Sequence, residues 1–124
     1  MLNLTYLSKF SSWANKNKKT GYNDFPSKWN YQKRYELYKW VLQNENLIDA
    51  SINYIEFGVA SGESFRWFLE QNKSQFSRFY GFDTFTGLPE DFGTYKKGAF
   101  NTNNEVPEIT DTRGKFYQGL FQQT

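Results

Sequence analysis

The sequence predicts an α/β domain of parallel strands with a helix between them, preceded by further helices. Three observations carry this. Asn53-Tyr54-Ile55-Glu56-Phe57 is a short, ring-rich run, and small residues recur directly after it at Gly58, Ala60 and Gly62. Phe65, Phe68 and Leu69, followed by Asn72, then fall at helical spacing. A second ring-rich run, Phe79-Tyr80-Gly81-Phe82-Asp83, ends on an acidic residue about 20 residues beyond Gly62. Strand, small-residue turn and helix present a helix N-terminus to a nucleotide-like ligand.

Taken in order, Leu4, Leu7, Phe10 and Ala14 predict an amphipathic helix over roughly the first 15 residues. Asn15 to Lys28, with Gly21 and Pro26, reads as a loop. Tyr31, Tyr35, Tyr38 and Leu42 form a second helical stripe, with Leu37 and Val41 beside it, fading through Asn44 and Asn46. The first strand is placed at Asn53 to Phe57, its helix at Glu63 to Asn72 and the second strand at Arg78 to Asp83. Residues 84–104, with three glycines and Pro89, read as a long functional loop, part of a lid. Pro107 to Arg113 is expected to hold a short helix and Lys115 to Phe121 a third strand.

Composition narrows the chemistry. A chain of 124 residues suits one domain, and its core must be built from rings: 13 Phe, 9 Tyr and 4 Trp. With no Cys and no His there are no disulfides, thiolate metal sites, Ser–His dyads or histidine bases within the chain. No apolar run approaches the roughly 18 residues of a membrane span, and no signal segment opens the chain, so a cytoplasmic protein without membrane contact is expected. Residues 1–40 carry an excess of Lys and Arg over Asp24 and Glu36, and 41–124 the reverse. The basic residues are scattered and no nucleic-acid motif accompanies them, so they read as a solvated face.

Each small residue of the turn has a physical role. Gly58 permits the sharp exit from the strand, Ala60 lets backbone approach a ligand, and Gly62 allows close helix–strand packing. Asp83 can accept from both hydroxyls of a ribose, or serve simply as a turn residue. Glu56 is either part of an acidic rim or a strand-end carboxylate satisfied by backbone amides; Ser64 either binds ligand or caps the helix.

Glu56-Phe57-Gly58-Val59 with Gly62 and Ser64, then Gly81-Phe82-Asp83-Thr84-Phe85 with Gly87-Leu88-Pro89-Glu90, resembles the macrocin O-methyltransferase family. Lys97-Gly98-Ala99-Phe100 and Gly119-Leu120-Phe121 extend the likeness, while Ala60 replaces the usual middle glycine. The resemblance implies the N-terminal half of a Rossmann-like methyltransferase domain, strands in order 3-2-1, acting with S-adenosylmethionine on a sugar-type or other small-molecule hydroxyl. Residues 1–50 would be a helical extension and 51–124 the truncated cofactor-binding half. By resemblance Gly58, Gly62 and Asp83 contact the cofactor, with Glu56, Ala60, Ser64 and Thr84 as further contacts. Leu88 and its loop would touch the acceptor. The family's base and the ligands of its divalent metal (Mg²⁺) lie beyond Thr124, so no catalytic or metal-binding residue is assigned and the chain alone is expected to be inactive.

Other cofactors fit the turn less well. A P-loop needs a Gly-Lys-Ser/Thr ending, and Gly62-Glu63-Ser64 lacks the lysine. A dinucleotide site places its pyrophosphate where Glu63 stands, which leaves an NAD-type oxidoreductase as the first alternative. A non-enzymatic interaction module is the second. Finally, the first strand, Asn53 to Phe57, is expected to expose an unpaired edge. Self-association through it, an exchange of elements or cover from the N-terminal helices would follow.

Overall fold

The computed structural model describes residues 2–16 and 30–123. Contacts divide the chain into two compact units, Met1–Glu45 and Asn46–Thr124.

The described residues of the first unit are mainly helical. Helix α1 (Leu2–Lys16) forms as its spacing predicts, yet of the four apolar positions that predicted it only Ala14 is buried, and Leu4, Leu7 and Phe10 are exposed. Phe10 and Trp13 stack at 6.1 Å. The tyrosine stripe begins in a 3-10 turn, Tyr31–Lys33, capped by the Asn30 side chain, which accepts from Gln32 N at 3.1 Å. Helix α2 (Arg34–Asn44) follows. Its Arg34 guanidinium lies 3.9 Å from the Tyr31 ring and 4.8 Å from that of Tyr35, a cation–π arrangement that braces the helix start. The loop expected from Asn15 lies, beyond Lys16, outside the described residues.

The second unit is an α/β layer. Strand β1 (Asn53–Phe57), helix α3 (Glu63–Gln71), strand β2 (Arg78–Asp83) and strand β3 (Gly114–Gln118) form one open sheet in order β1-β2-β3, both pairs parallel, with α3 on one face. Phe65 and Leu69 of α3 are buried with Val59, Phe79 and Phe85, and Tyr54, Phe68 and Phe116 pack around them. Rings meet at an angle in this core, as their quadrupoles favour: Tyr54 with Phe68 at 4.7 Å and Phe65 with Phe116 at 4.7 Å. Gly81 allows a close approach within this core, because a Cβ there would lie 2.6 Å from the Phe116 ring.

The crossover from β2 to β3 corrects two expectations. Pro107 to Arg113 forms no helix. Ile109, Thr110 and Thr112 are β-branched, and Asp111 Oδ1 accepts from Arg113 N at 2.9 Å, a local turn that competes with helix. The third strand runs Gly114–Gln118 rather than to Phe121, because after Gly119 N bonds Asp83 O at 3.0 Å the chain turns, Gln123 N bonding Leu120 O.

The long loop is braced from within. Leu88 N bonds Ala99 O at 2.9 Å and Gly98 N bonds Leu88 O at 2.8 Å, while Thr102 N and Asn104 N both bond Phe85 O. Asp91 accepts from Lys96 Nζ at 2.7 Å and Lys97 N at 2.9 Å, closing a bridge between Phe92 and Tyr95. Where the strands of the loop cross, Gly87 has φ 85° and a Cβ would sit 2.5 Å from Gly98 O. Gly87→Ala should therefore lower unfolding free energy by about 1–3 kcal/mol in a urea titration.

Candidate functional site

A cavity of about 390 Å³ opens at the carboxyl ends of the strands, where ligands of open parallel sheets sit. Gly58 and Ala60 line it from the turn after β1, and Asp83 and Thr84 from the end of β2. Gly87, Leu88, Pro89, Ala99 and Phe100 come from the braced loop, and Leu120, Phe121 and Gln122 from the segment after β3. The wall is mostly apolar, and Asp83 is its one charged residue among those described.

The turn is held in a conformation that ordinary residues avoid. Gly58 leaves the strand at φ 84°, its N–H on Phe82 O at 2.9 Å, and nothing lies within 4 Å of where its Cβ would be. Backbone there faces open cavity, and a ligand can approach it closely. Ala60 also has positive φ, 48°, a conformation costing an L residue about 1–2 kcal/mol. Its N–H donates to Asp83 Oδ2 at 2.8 Å, which fastens the first turn to the second strand. Asp83 Oδ1 accepts from Phe85 N at 2.8 Å. A carboxylate has about four lone-pair sites, so this half-buried group retains acceptors for a ligand hydroxyl.

Thr84 lies beside it, its Oγ1 donating to Gly87 O at 2.9 Å and accepting from Thr86 N at 3.3 Å. That pins the start of the loop, with Thr84 on the cavity wall.

Three of the sequence-chosen residues do not line the cavity. Glu56 accepts from the Tyr54 hydroxyl at 2.7 Å and the Ser64 hydroxyl at 2.6 Å. Its carboxylate thus joins strand to helix through hydroxyls, rather than forming an acidic rim on the cavity or taking backbone amides, the two readings its position had offered. Ser64 gives its proton to Glu56 and is not the cap of α3; that position is Gly62, at φ 75° and without a side-chain cap bond. Gly62 serves its backbone angle and its contact with the crossover, since a Cβ would meet Pro107 at 3.4 Å and Arg66 at 3.1 Å. Glu63 is exposed, so its charge alone does not bar a phosphate from the helix start.

Gly87, Pro89, Ala99, Phe100 and the Leu120–Gln122 segment were not singled out as cofactor contacts from sequence. The rule that ligands lie beyond the carboxyl ends of parallel strands would have pointed to the residues after β3. Among the described residues no cluster of His, Cys, Asp or Glu could hold a metal ion, and no helix is long and apolar enough to cross a membrane. Comparison with known proteins finds no matching family model, no matching curated protein and no matching solved structure.

Proposed function

We propose that the second unit is the S-adenosylmethionine-binding part of a Rossmann-like O-methyltransferase of the macrocin type, acting on a sugar-type hydroxyl. One observation carries the reading. Asp83, the one charged residue among the described residues of an apolar cavity at the strand ends, is locked against the Gly58–Gly62 turn through Ala60 N–H. A ribose offers two hydroxyl donors to such a carboxylate, and an adenine ring suits walls made by Leu88, Phe100, Leu120 and Phe121.

The cofactor's groups would fall on these residues as follows. Asp83 holds the ribose, the open backbone at Gly58 lets the amino-acid portion pass close, and the braced loop with Leu88 faces the acceptor. When bound, the sulfonium supplies the methyl group; the chain's part is to orient it and exclude water.

Calorimetry distinguishes this reading from a dinucleotide site. S-adenosylmethionine or its demethylated product is expected to bind more tightly than NAD. NAD binding of equal or greater strength would overturn the methyltransferase reading, and binding of neither would leave the turn with a purely structural role.

A further inference from the structure

Asp83 takes two backbone donors, and both come from residues in an uncommon conformation. Ala60 N–H reaches Oδ2 at 2.8 Å and Phe85 N–H reaches Oδ1 at 2.8 Å. Neither residue is glycine, yet Ala60 has φ 48° and Phe85 φ 58°. Left-handed backbone is rare for a bulky side chain, and it persists only where the surrounding structure over-determines it. At Phe85 the determinant is the ring. It is fully buried, 5.9 Å from the Phe116 ring, in the same core as Val59, the residue directly before Ala60.

The carbonyl of Phe85 is engaged as well. Phe85 O accepts from Thr102 N at 3.2 Å and from Asn104 N at 3.1 Å, and the Thr102 hydroxyl lies 3.2 Å away. Asn104 is also held from the sheet, its Oδ1 accepting from Gln118 Nε2 at 2.6 Å. The long loop therefore leaves and returns through one residue. One side of that residue's backbone meets the carboxylate on the cavity wall, and the other meets the closing corner of the loop. None of Phe85, Thr102 and Asn104 lines the cavity.

We propose that Phe85 is the positioning residue for Asp83. Its buried ring holds the backbone angle that aims one N–H at Oδ1 and one C=O at residues 102 and 104. A ligand on Asp83 is thereby linked to closure of the loop. The ribose as that ligand rests on the cofactor reading. A free carboxylate rotates about its last torsion, which has no sharp preference of its own. Two fixed N–H donors from separate segments remove that freedom before a ligand arrives, so less ordering is left to oppose binding. A ligand with two neighbouring hydroxyls benefits, because the plane of the carboxylate is already set. A ligand without them gains nothing.

Two nucleosides read this directly: adenosine, with both ribose hydroxyls, and 2′,3′-dideoxyadenosine, with neither. In NMR titrations the purified full chain should bind adenosine about 10-fold more tightly or better, the worth of a hydrogen bond to a charged group. Phe85→Leu keeps an apolar side chain in the core but not the ring. It should shrink that ratio to about 3-fold or less, chiefly by weakening adenosine. Phe65→Leu is the control. Phe65 is just as buried and its ring meets Phe116 at 4.7 Å, but its backbone belongs to α3 and makes none of these bonds. Both leucine variants should lower the midpoint of a urea titration, and only Phe85→Leu should change the ratio. Equal ratios in all three chains would reduce Phe85 to packing and overturn the proposal.

If Phe85→Leu fails to fold, hydrogen exchange of the unmodified chain decides. Saturation with adenosine should slow exchange at Ala60 and Phe85, and also at Thr102 and Asn104, which lie off the cavity. Protection confined to Ala60 and Phe85 would overturn the linkage. The cofactor reading fails differently: the unmodified chain then binds both nucleosides alike or neither, and this assignment falls with it.

Discussion

Arg113→Met should cost the second unit about 3–5 kcal/mol, a large part of the roughly 5–15 kcal/mol that holds a domain together. Arg113 is only 8% exposed. Its guanidinium donates to Leu69 O at 2.7 Å, Asn72 O at 2.8 Å and Ser74 O at 3.0 Å, carbonyls at and beyond the end of α3 that the helix itself cannot satisfy. Asp111 holds the other side of the fork, Oδ2 accepting from Nη2 at 2.7 Å. Met fills the stem's volume but leaves the buried Leu69 and Asn72 carbonyls without the guanidinium's N–H groups, and Asp111 with only the backbone N–H of residue 113. The midpoint of a urea titration reads the loss.

The same pair sets an acid dependence. Arg113, chiefly through its side-chain hydrogen bonds, holds the Asp111 carboxyl below its ordinary value. The unfolded chain therefore binds this proton more readily than the folded one. The contribution to stability is present above about pH 4 and is lost as pH falls through the lower, folded value. Arg113→Met should remove that portion of the acid sensitivity. An unchanged midpoint at neutral pH would show that water replaces the guanidinium.

Arg113 was invisible to periodicity, and the reason is general to this chain. Short ring-rich runs bounded by polar residues fixed β1 at Asn53–Phe57 and β2 at Arg78–Asp83, where both are observed. Hydrophobic spacing likewise placed α1, α2 and α3 within a residue or two, the start of α2 being wound as a 3-10 turn. Those elements depend on local pattern. What pattern cannot show is a bond between distant backbone groups. The brace between Leu88 and Ala99 and the grip of Arg113 on Leu69 belong to this kind. β3 was drawn too long for a related reason. Leu120 and Phe121 extend the apolar run, yet their place is the cavity wall.

The candidate site was legible to the same extent. Gly58, Ala60, Asp83 and Thr84 converge on one cavity, because strand ends and turn glycines announce themselves in sequence. Glu56 and Ser64 sit at strand and helix positions that equally suit a ligand or each other, and the structure joins them to each other. Nothing in their types or spacing separated the two uses.

On the proposed reading, Asp83→Ala should weaken S-adenosylmethionine binding about 100-fold, the worth of a charge-assisted hydrogen-bond pair. Two losses combine. The ribose hydroxyls lose their acceptor, and the Ala60 and Phe85 N–H groups lose theirs, freeing a turn that Ala60 holds at unfavourable φ. Asp83→Asn should lie between, since one of its two polar atoms presents N–H where backbone N–H groups already point. Glu56→Gln is the control. Glu56 lies off the cavity, bound to Tyr54 and Ser64, so its loss of charge should leave affinity within a few-fold. Calorimetry gives the affinities and circular dichroism confirms that each variant is folded. Asp83→Ala that folds and binds as tightly as the unmodified chain would remove Asp83 from the ligand's contacts. The cavity would then need another polar anchor, and Thr84 and Gln122 are the polar side chains left on its wall.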